Sequence, residues 1–277
     1  MIPLIAGSAP IGLSVAMRRS RARDVGVCAL QMWAYVSAYK TPHDDAEAQA
    51  ARVHVAYPIW MDRVLGLGVT PTLRLQRALG RPGVISPLDK VLVWAHWMWF
   101  AVPHGAVAYL LFRRPEQFER GATMMYATFD LGAIAYHLAP TAPPWYAAAE
   151  GHVTSEAPAR RMMAEYGEQF WRDRWGPLYS VLGGNPLAAM PSLHFATSVM
   201  AARLLSDAGP VAGALGWTYA GVLGFALVYI GEHYVVDLLG GWALTEAVLR
   251  YGDRAAPLLS RLSRAIGWLG DQAHADR

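Results

Sequence analysis

The chain has 277 residues, of which 54% are hydrophobic and 16% are charged, and its mean hydropathy is +0.20. This balance is rare in soluble domains and predicts an integral membrane protein with room for one bundle of about six spans. The net charge of +3 is too small to indicate a nucleic-acid partner. The single cysteine, Cys28, excludes an intramolecular disulfide.

The amino-terminal part, residues 1–87, is predicted to hold one span and interfacial helices. Residues 1–17 are apolar, but a cluster of arginines follows this run instead of preceding it, so we expect no cleaved signal. The first span is expected over residues 24–40. Residues 41–87 are mixed and interrupted by prolines, which favours short helices at the membrane interface or a compact loop.

Residues 88–251 are predicted to form a catalytic core, followed by a C-terminal tail over residues 252–277. Residues 139–189 are expected to form an ordered polar loop within this core. The predicted fold class is all-α, a polytopic membrane protein with six transmembrane helices in one bundle and interfacial helices between spans 1 and 2. The five spans of the core are expected over 88–111, with a kink at Pro103, and over 122–138, 190–205, 211–230 and 233–250.

The alternation of these spans brings three regions to one face of the membrane. They are the loop after the third span, the start of the fourth span, and the turn between the fifth and sixth spans. Basic residues in the loops slightly favour a cytoplasmic amino terminus. We therefore expect a site on the non-cytoplasmic face of the cell membrane.

The motif Pro191-Ser192-Leu193-His194 begins the predicted fourth span. Pro191 fits the first position of a helix, so Ser192 and His194 would fall in its opening turn, where free N–H groups and the helix dipole bind anions. Ser192 would add a hydroxyl donor, and His194 would give a proton to a leaving oxygen. Taken alone, the tetrapeptide fits an ordinary helix start with an interfacial histidine better than a catalytic one.

A second motif, from His233 to Asp237, begins the predicted sixth span. Residues four apart share a helix face, so the carboxylate can accept the proton of one imidazole nitrogen and raise the basicity of the other. His233 would then be a nucleophile that forms a phosphohistidine, with Asp237 orienting it and with no metal or cofactor required. A His–Asp pair that only satisfies two buried polar groups is the alternative.

Three stretches carry a resemblance to a known family: residues 136–144 (YHLAPTAPP), 185–194 (NPLAAMPSLH) and 231–241 (GEHYVVDLLGG). They resemble the signatures of the membrane members of the type 2 phosphatidic acid phosphatase superfamily. The closest similarity is to its inositol phosphorylceramide synthase and sphingomyelin synthase branch. The resemblance implies a six-span fold, a phosphohistidine route, and the roles given above to His194, His233 and Asp237.

The resemblance also implies a wider binding set and exposes two departures from the family pattern. Phosphatase relatives place an arginine six residues before the nucleophilic histidine, where this chain has Leu227. The proline-rich motif commonly ends in arginine in this branch, and here the residue is Trp145. His137 would either line the site or mark the membrane interface. The residues assigned to substrate and phosphate binding are Tyr136, His137, Pro140, Thr141 and Asn185.

Both departures remove a phosphate-binding cation, and anion binding still needs a positive partner. Arg160 and Arg161 lie in the long loop and are candidates for that role, with solvated loop arginines as the alternative. Glu232 would alter the basicity of the nucleophile or bind an acceptor hydroxyl, and simple exposure is equally consistent. His96 and His104 are expected to be buried structural residues.

Weak phosphate cations favour a phosphodiester, which carries one negative charge, over a phosphomonoester. The predicted function is a membrane phosphotransferase that moves a phosphorylated headgroup from a phospholipid donor to a lipid or polyol hydroxyl. A lipid phosphate phosphatase acting on phosphatidic acid or isoprenyl phosphates is the alternative. A zinc-dependent hydrolase would be expected to show a motif such as His-Glu-X-X-His, and a transporter would be expected to show internal repeats; the chain has neither. The oligomeric state is not indicated.

Overall fold

The computed structural model describes residues 2–41, 45–152, 159–182 and 184–275, and within these ranges the chain is helical with no β-strand beyond isolated bridges. The prediction of an all-α fold is confirmed. In chain order the helices are α1 (Ile2–Ala16), α2 (Arg21–Lys40), α3 (Ala46–Ala50), α4 (Ala56–Leu65), α5 (Pro71–Leu79), α6 (Pro87–Trp97), α7 (Val102–Arg113), α8 (Pro115–Leu138), α9 (Pro144–Ala149), α10 (Met162–Trp171), α11 (Trp175–Leu182), α12 (Leu193–Ala208), α13 (Pro210–Tyr229) and α14 (Val235–Ala275).

Helix α12 lies at the centre of the bundle, where it packs against α7, α8, α13 and α14. The largest apolar cluster joins α7, α8, α12 and α14 with Tyr35 of α2, around fully buried side chains such as Leu110, Phe129 and Met200. Small residues let the backbones approach closely: a Cβ on Gly241 of α14 would lie 2.5 Å from the carbonyl oxygen of Ser192. The start of α12 is therefore held firmly against α14.

One helix in the described part of the chain, α13, is long and apolar enough to cross a membrane, and α1 includes a shorter apolar stretch, Ile5–Ala16. The expected second span is divided, because α6 ends at Trp97, a 3-10 turn covers Met98–Phe100, and α7 begins at Val102. Pro103 lies in the first turn of α7, where its missing N–H costs no helical hydrogen bond. The prediction of one kinked helix over residues 88–111 is wrong.

The start of α12 also differs from the prediction. Its first residue is Leu193, and Ser192 is the N-cap, whose hydroxyl accepts a hydrogen bond from the backbone N–H of Phe195. Pro191 lies before the cap, so its predicted place at the first helical position is wrong. The capping hydroxyl, not the proline, determines where the helix begins.

The last helix begins later and ends later than predicted. Helix α14 starts at Val235, so His233 lies in the turn before it and does not share a helix face with Asp237. It continues to Ala275, well beyond the predicted end at residue 250. The relation between His233 and Asp237 is therefore set by the turn that leads into the helix.

Short helices and backbone bonds form a layer over the end of the bundle that carries the motifs. The expected loop over residues 139–189 contains α9, α10 and α11. Backbone N–H groups of Thr141 and Ala189 bond to the carbonyls of Leu187 and Thr141 at 2.9 and 3.1 Å, and that of Ala142 bonds to His54 at 3.0 Å. The amino-terminal side contributes α4, which packs against α14, and α5, which packs against α13.

Candidate active site

The side chains of His194 and His233 meet where α12 and α14 begin. Nε2 of His233 lies 3.3 Å from Nδ1 of His194, and Nδ1 of His233 lies 3.3 Å from Oδ2 of the fully buried Asp237. A carboxylate accepts only, so His233 donates its Nδ1 proton to Asp237 and presents an Nε2 lone pair towards His194. This arrangement provides a nucleophilic nitrogen with a second proton carrier beside it.

The turn before α14 fixes the position of His233. The backbone N–H groups of Glu232 and His233 both bond to the carbonyl of Leu227 at 3.1 Å. Gly231 adopts φ 85°, a conformation that side chains disfavour, and a Cβ there would lie 2.3 Å from the carbonyl oxygen of Arg160. The Leu227 side chain is fully buried in an apolar cluster, so no cation occupies this position.

Aromatic and imidazole rings surround His194. The Trp99 ring centroid lies 4.2 Å from that of His194, and its indole N–H donates to the hydroxyl of Thr197 at 2.8 Å. On another side, the ring of His96 lies 4.9 Å from His194 at 31°. His96 is buried, and no described residue forms a hydrogen bond with its Nδ1. The expectation of a purely structural His96 overlooked this contact, because nothing in the sequence of α6 links it to the two motifs.

Arg161 supplies a cation beside the histidines. Its Nε donates to Glu232 at 2.9 Å, and its Nη2 donates to the hydroxyl of Tyr179 at 2.7 Å. The guanidinium lies 3.8 Å from the ring centroid of Trp145, a cation–π distance. Burial alone would lower the pKa of Arg161, but the neighbouring Glu232 charge and the Tyr179 hydroxyl raise it overall, so the group stays charged.

Arg160, the other candidate cation, is directed elsewhere. Its guanidinium pairs with Glu165 and donates to the carbonyl of Arg81 at 2.7 Å. The alternative that Glu232 is simply exposed to solvent is wrong, because its side chain is only 10% exposed and forms an ion pair with Arg161. The two neighbouring arginines therefore have different surroundings. Arg161 lines the same cavity as the histidines, and Arg160 bonds to Glu165 and to the backbone after α5.

The residues around the proline-rich turn divide between the site and its support. The Tyr136 hydroxyl donates to the carbonyl of Pro191 at 2.7 Å and accepts from the N–H of Leu193 at 3.3 Å, so it ties α8 to the start of α12. Nδ1 of the exposed His137 bonds to a carbonyl of its own helix, that of Ala133, at 2.8 Å. Pro140 and Thr141 are buried and bond to neighbouring segments through their backbones.

Asn185 has a free amide nitrogen. Its Oδ1 accepts from the side chain of Gln49 at 2.8 Å and from the backbone N–H of Leu187 at 2.9 Å. Its Nδ2 is buried and has no hydrogen-bond partner among the residues that the structure describes. An amide donor held in this way can serve an oxygen that approaches from the cavity.

A cavity of about 480 Å³ joins these groups. Of the predicted site residues, Asp237 lies behind His233, and Ser192, His137, Pro140, Thr141 and Arg160 lie outside the lining. Much of the wall is tryptophan, contributed by Trp94, Trp97, Trp99, Trp145, Trp171 and Trp175. The predicted residues that line the cavity are Tyr136, Arg161, Asn185, His194, Glu232 and His233.

No group of three or more His, Cys, Asp or Glu side chains is arranged to hold a metal ion in the described ranges. Residues 59–250 match a family model described as the PAP2 superfamily. No curated protein and no solved structure gives a significant match to the chain. The family match includes both histidines, the cavity lining other than its α2 residues, helix α5 and most of helix α4.

Proposed function

Because the chain belongs to the PAP2 superfamily, whose members are generally membrane enzymes acting on lipid phosphates, we propose a membrane phosphotransferase that works through a phosphohistidine on His233. It moves a phosphorylated headgroup from a phospholipid donor to a lipid or polyol hydroxyl. The observation that carries the proposal is the position of His233, whose two ring nitrogens face Asp237 and His194 at 3.3 Å each. The resemblance to the inositol phosphorylceramide synthase and sphingomyelin synthase branch points the same way.

The reaction has two balanced halves. Nε2 of His233 attacks the donor phosphorus, the bond from phosphorus to the lipid oxygen breaks, and the cationic form of His194 gives its proton to that oxygen. The now neutral His194 takes the proton of the acceptor hydroxyl, whose oxygen attacks phosphorus and releases His233. The two rings have to separate to admit a phosphoryl group. Asp237 keeps Nδ1 of His233 protonated throughout.

The charge around the histidines supports a phosphodiester donor. Trp145 stands where the resemblance leads us to expect an arginine, and the Arg161 guanidinium lies on its ring. Glu232 already neutralises part of that cation, and Leu227 contributes none. A phosphodiester carries one negative charge and needs less compensation than the nearly doubly charged monoester. The free Nδ2 of Asn185 supports binding of an acceptor oxygen.

The cavity wall supports a lipid substrate. Val36, Trp94 and Phe100 line the cavity and are 37%, 40% and 45% exposed, so the cavity extends from the histidines to the apolar surface between α2 and α6. A lipid chain fits such a wall, and the headgroup would reach the polar end. We further propose that six membrane spans carry this site, on the non-cytoplasmic face of the cell membrane.

A lipid phosphatase is the second candidate, because water in place of the acceptor hydroxyl would hydrolyse the same phosphohistidine. Purified protein is incubated with headgroup-labelled and acyl-labelled phosphatidylinositol, and with phosphatidic acid, with and without a lipid alcohol or polyol. We expect headgroup label on His233 and then on the acceptor. Hydrolysis of phosphatidic acid without any transfer would overturn the phosphotransferase, and no label on His233 would overturn the phosphohistidine. His152→Ala, at an exposed position, is the control.

A further inference from the structure

A buried carboxylate of helix α4, that of Asp62, contacts the first residues of α14. The Asp62 side chain is fully buried, and its Oδ2 and Oδ1 accept hydrogen bonds from the backbone N–H groups of Val235 and Val236 at 3.1 and 2.9 Å. The first N–H groups of a helix have no carbonyl partner within it. Asp62 therefore caps α14 from a distant part of the chain, next to the turn that carries His233.

This cap frees Asp237 for the nucleophile. Oδ2 of Asp237 accepts from the N–H of Tyr234 at 2.9 Å and faces Nδ1 of His233, while its Oδ1 is buried without a hydrogen-bond partner in the described part of the chain. Without Asp62, the N–H groups of Val235 and Val236, which directly precede Asp237 in the chain, would be left unpaired. They would compete with His233 for the carboxylate of Asp237 and turn it away from His233.

Helix α5 has a corresponding side chain on the other half of the site. Nε2 of Gln76 donates to the carbonyls of Arg160 and Tyr229, each at 2.9 Å, and its Oε1 accepts from the N–H of Arg160 at 2.9 Å. Two residues after Arg160, the N–H of Met162 bonds to the carbonyl of Ile230 at 3.1 Å. Gln76 thus fastens the backbone beside Arg161 to the end of α13, in the turn that leads to the nucleophile.

We propose that Asp62 and Gln76 are positioning residues for phosphoryl transfer, the first for the nucleophile His233 and the second for the cation Arg161. The inference rests on the proposed function and adds to it a role for α4 and α5, which would position the nucleophile and the phosphate-binding cation. Their separate targets predict separate kinetic effects, because the nucleophile acts in the chemical step and the cation binds the donor phosphate.

Asp62→Asn keeps the size of the side chain and replaces one acceptor oxygen with a donor. We expect kcat to fall roughly tenfold or more with KM within about twofold, and Asp62→Glu, which keeps both acceptors, to retain more activity than the asparagine. Val64→Ala, at an exposed position of α4, is the control. In an Asp237→Asn background the effect of Asp62→Asn should largely disappear, since both act through His233. A loss confined to KM, or additive losses, would overturn this role.

Gln76→Ala should raise the KM for the phospholipid donor about tenfold and leave kcat within about threefold, with exposed Arg77→Ala as the control. In an Arg161→Ala background it should have little further effect. Equal loss in kcat and KM, or the same loss without Arg161, would overturn the role of Gln76. Melting midpoints in detergent identify variants that fail to fold.

A readout independent of turnover separates this inference from the proposed function. Nitrogen-15 NMR of labelled histidine reports whether Nδ1–H of His233 is bonded to Asp237, and we expect Asp62→Asn to weaken that bond and Val64→Ala to preserve it. An unchanged signal would contradict positioning by Asp62, whatever reaction the protein catalyses. A weakened signal, together with full activity of His233→Ala, would contradict the proposed function and leave the positioning role intact.

Discussion

Two regions of the molecule shape the candidate site through different kinds of contact. The starts of the helices that carry the motifs, α12 and α14, bring the side chains of His194, His233 and Asp237 into contact with each other. The amino-terminal helices α4 and α5 contribute Asp62 and Gln76, whose side chains bond to backbone atoms at the start of α14 and beside Arg161. In the proposed function, the first region would carry out the reaction, and the second would fix the backbone that positions the reacting groups.

The difference explains why the two regions look so unlike each other in sequence. A phosphoryl-transfer site needs particular side chains, so histidines and a carboxylate appear at recognisable spacings. A contact to the backbone needs only an acceptor or an amide of suitable length, and the N–H or carbonyl that it meets is present in every residue. Substitutions in the motif region should therefore remove reaction steps, while substitutions in the supporting region should reduce their efficiency.

The largest expected effect is at His233. His233→Ala should reduce headgroup transfer on the order of 10⁴-fold or more and abolish the covalent intermediate, because no other group replaces the attacking nitrogen. The measurement is transfer of headgroup label from a phospholipid, together with acid-labile label on the protein. Substantial transfer by a folded variant would remove the basis of the comparison, since the motif region would then carry no essential step.

His194→Ala should cost roughly 10²–10⁴-fold with a lipid donor, whose alkoxide needs a proton to depart. A nitrophenyl phosphodiester releases a stable anion and does not need this proton. With that donor we expect one rapid burst of nitrophenol, stoichiometric with protein, followed by slow turnover as phosphohistidine accumulates. Equal losses with both donors and no burst would show that His194 has another role.

Arg161→Ala should raise the KM for the donor about tenfold, because the guanidinium between Glu232 and Trp145 is the expected phosphate partner. Arg161→Lys should recover little, since a lysine provides neither the stacked plane nor two fixed donors. Initial rates across donor concentrations measure both variants. Exposed Arg174→Ala is the matched control, and an equal KM change there would point to general surface charge.

The sequence led to the all-α fold and to six of the residues that line the cavity, because amphipathic runs and polar groups in apolar surroundings are visible in one dimension. It did not lead to the break between α6 and α7, since helix propensity cannot decide between a kinked helix and two helices joined by a 3-10 turn. The places of Pro191 and His233 relative to their helices were also missed, because Ser192 and Asp62 act as caps through bonds that depend on folding. His96 was missed because only packing brings it to His194.

A last expected effect concerns the charge of Asp62 and is measured as stability, not as activity. Burial, which outweighs its two backbone hydrogen bonds, raises the pKa of this carboxyl from 3.8 to about 6, with the nearby Asp237 charge adding to the increase. Between about pH 4 and 6 the folded protein therefore holds a proton that the unfolded chain has lost, so the free energy of unfolding falls as pH rises through this window. The total change is on the order of 3 kcal/mol, from about two pH units at about 1.4 kcal/mol each.

Asp62→Asn cannot ionise and should lack this slope, while carboxyls remote from Asp62 contribute equally to both proteins. Melting midpoints in detergent are compared from pH 4 to 7, and the midpoint of the wild type relative to the variant should decline as pH rises. Parallel curves would mean that ionised Asp62 costs nothing in the fold. A declining difference would mean that the protein keeps a destabilising charge near neutral pH, as expected of a group retained to cap α14 and leave Asp237 to His233.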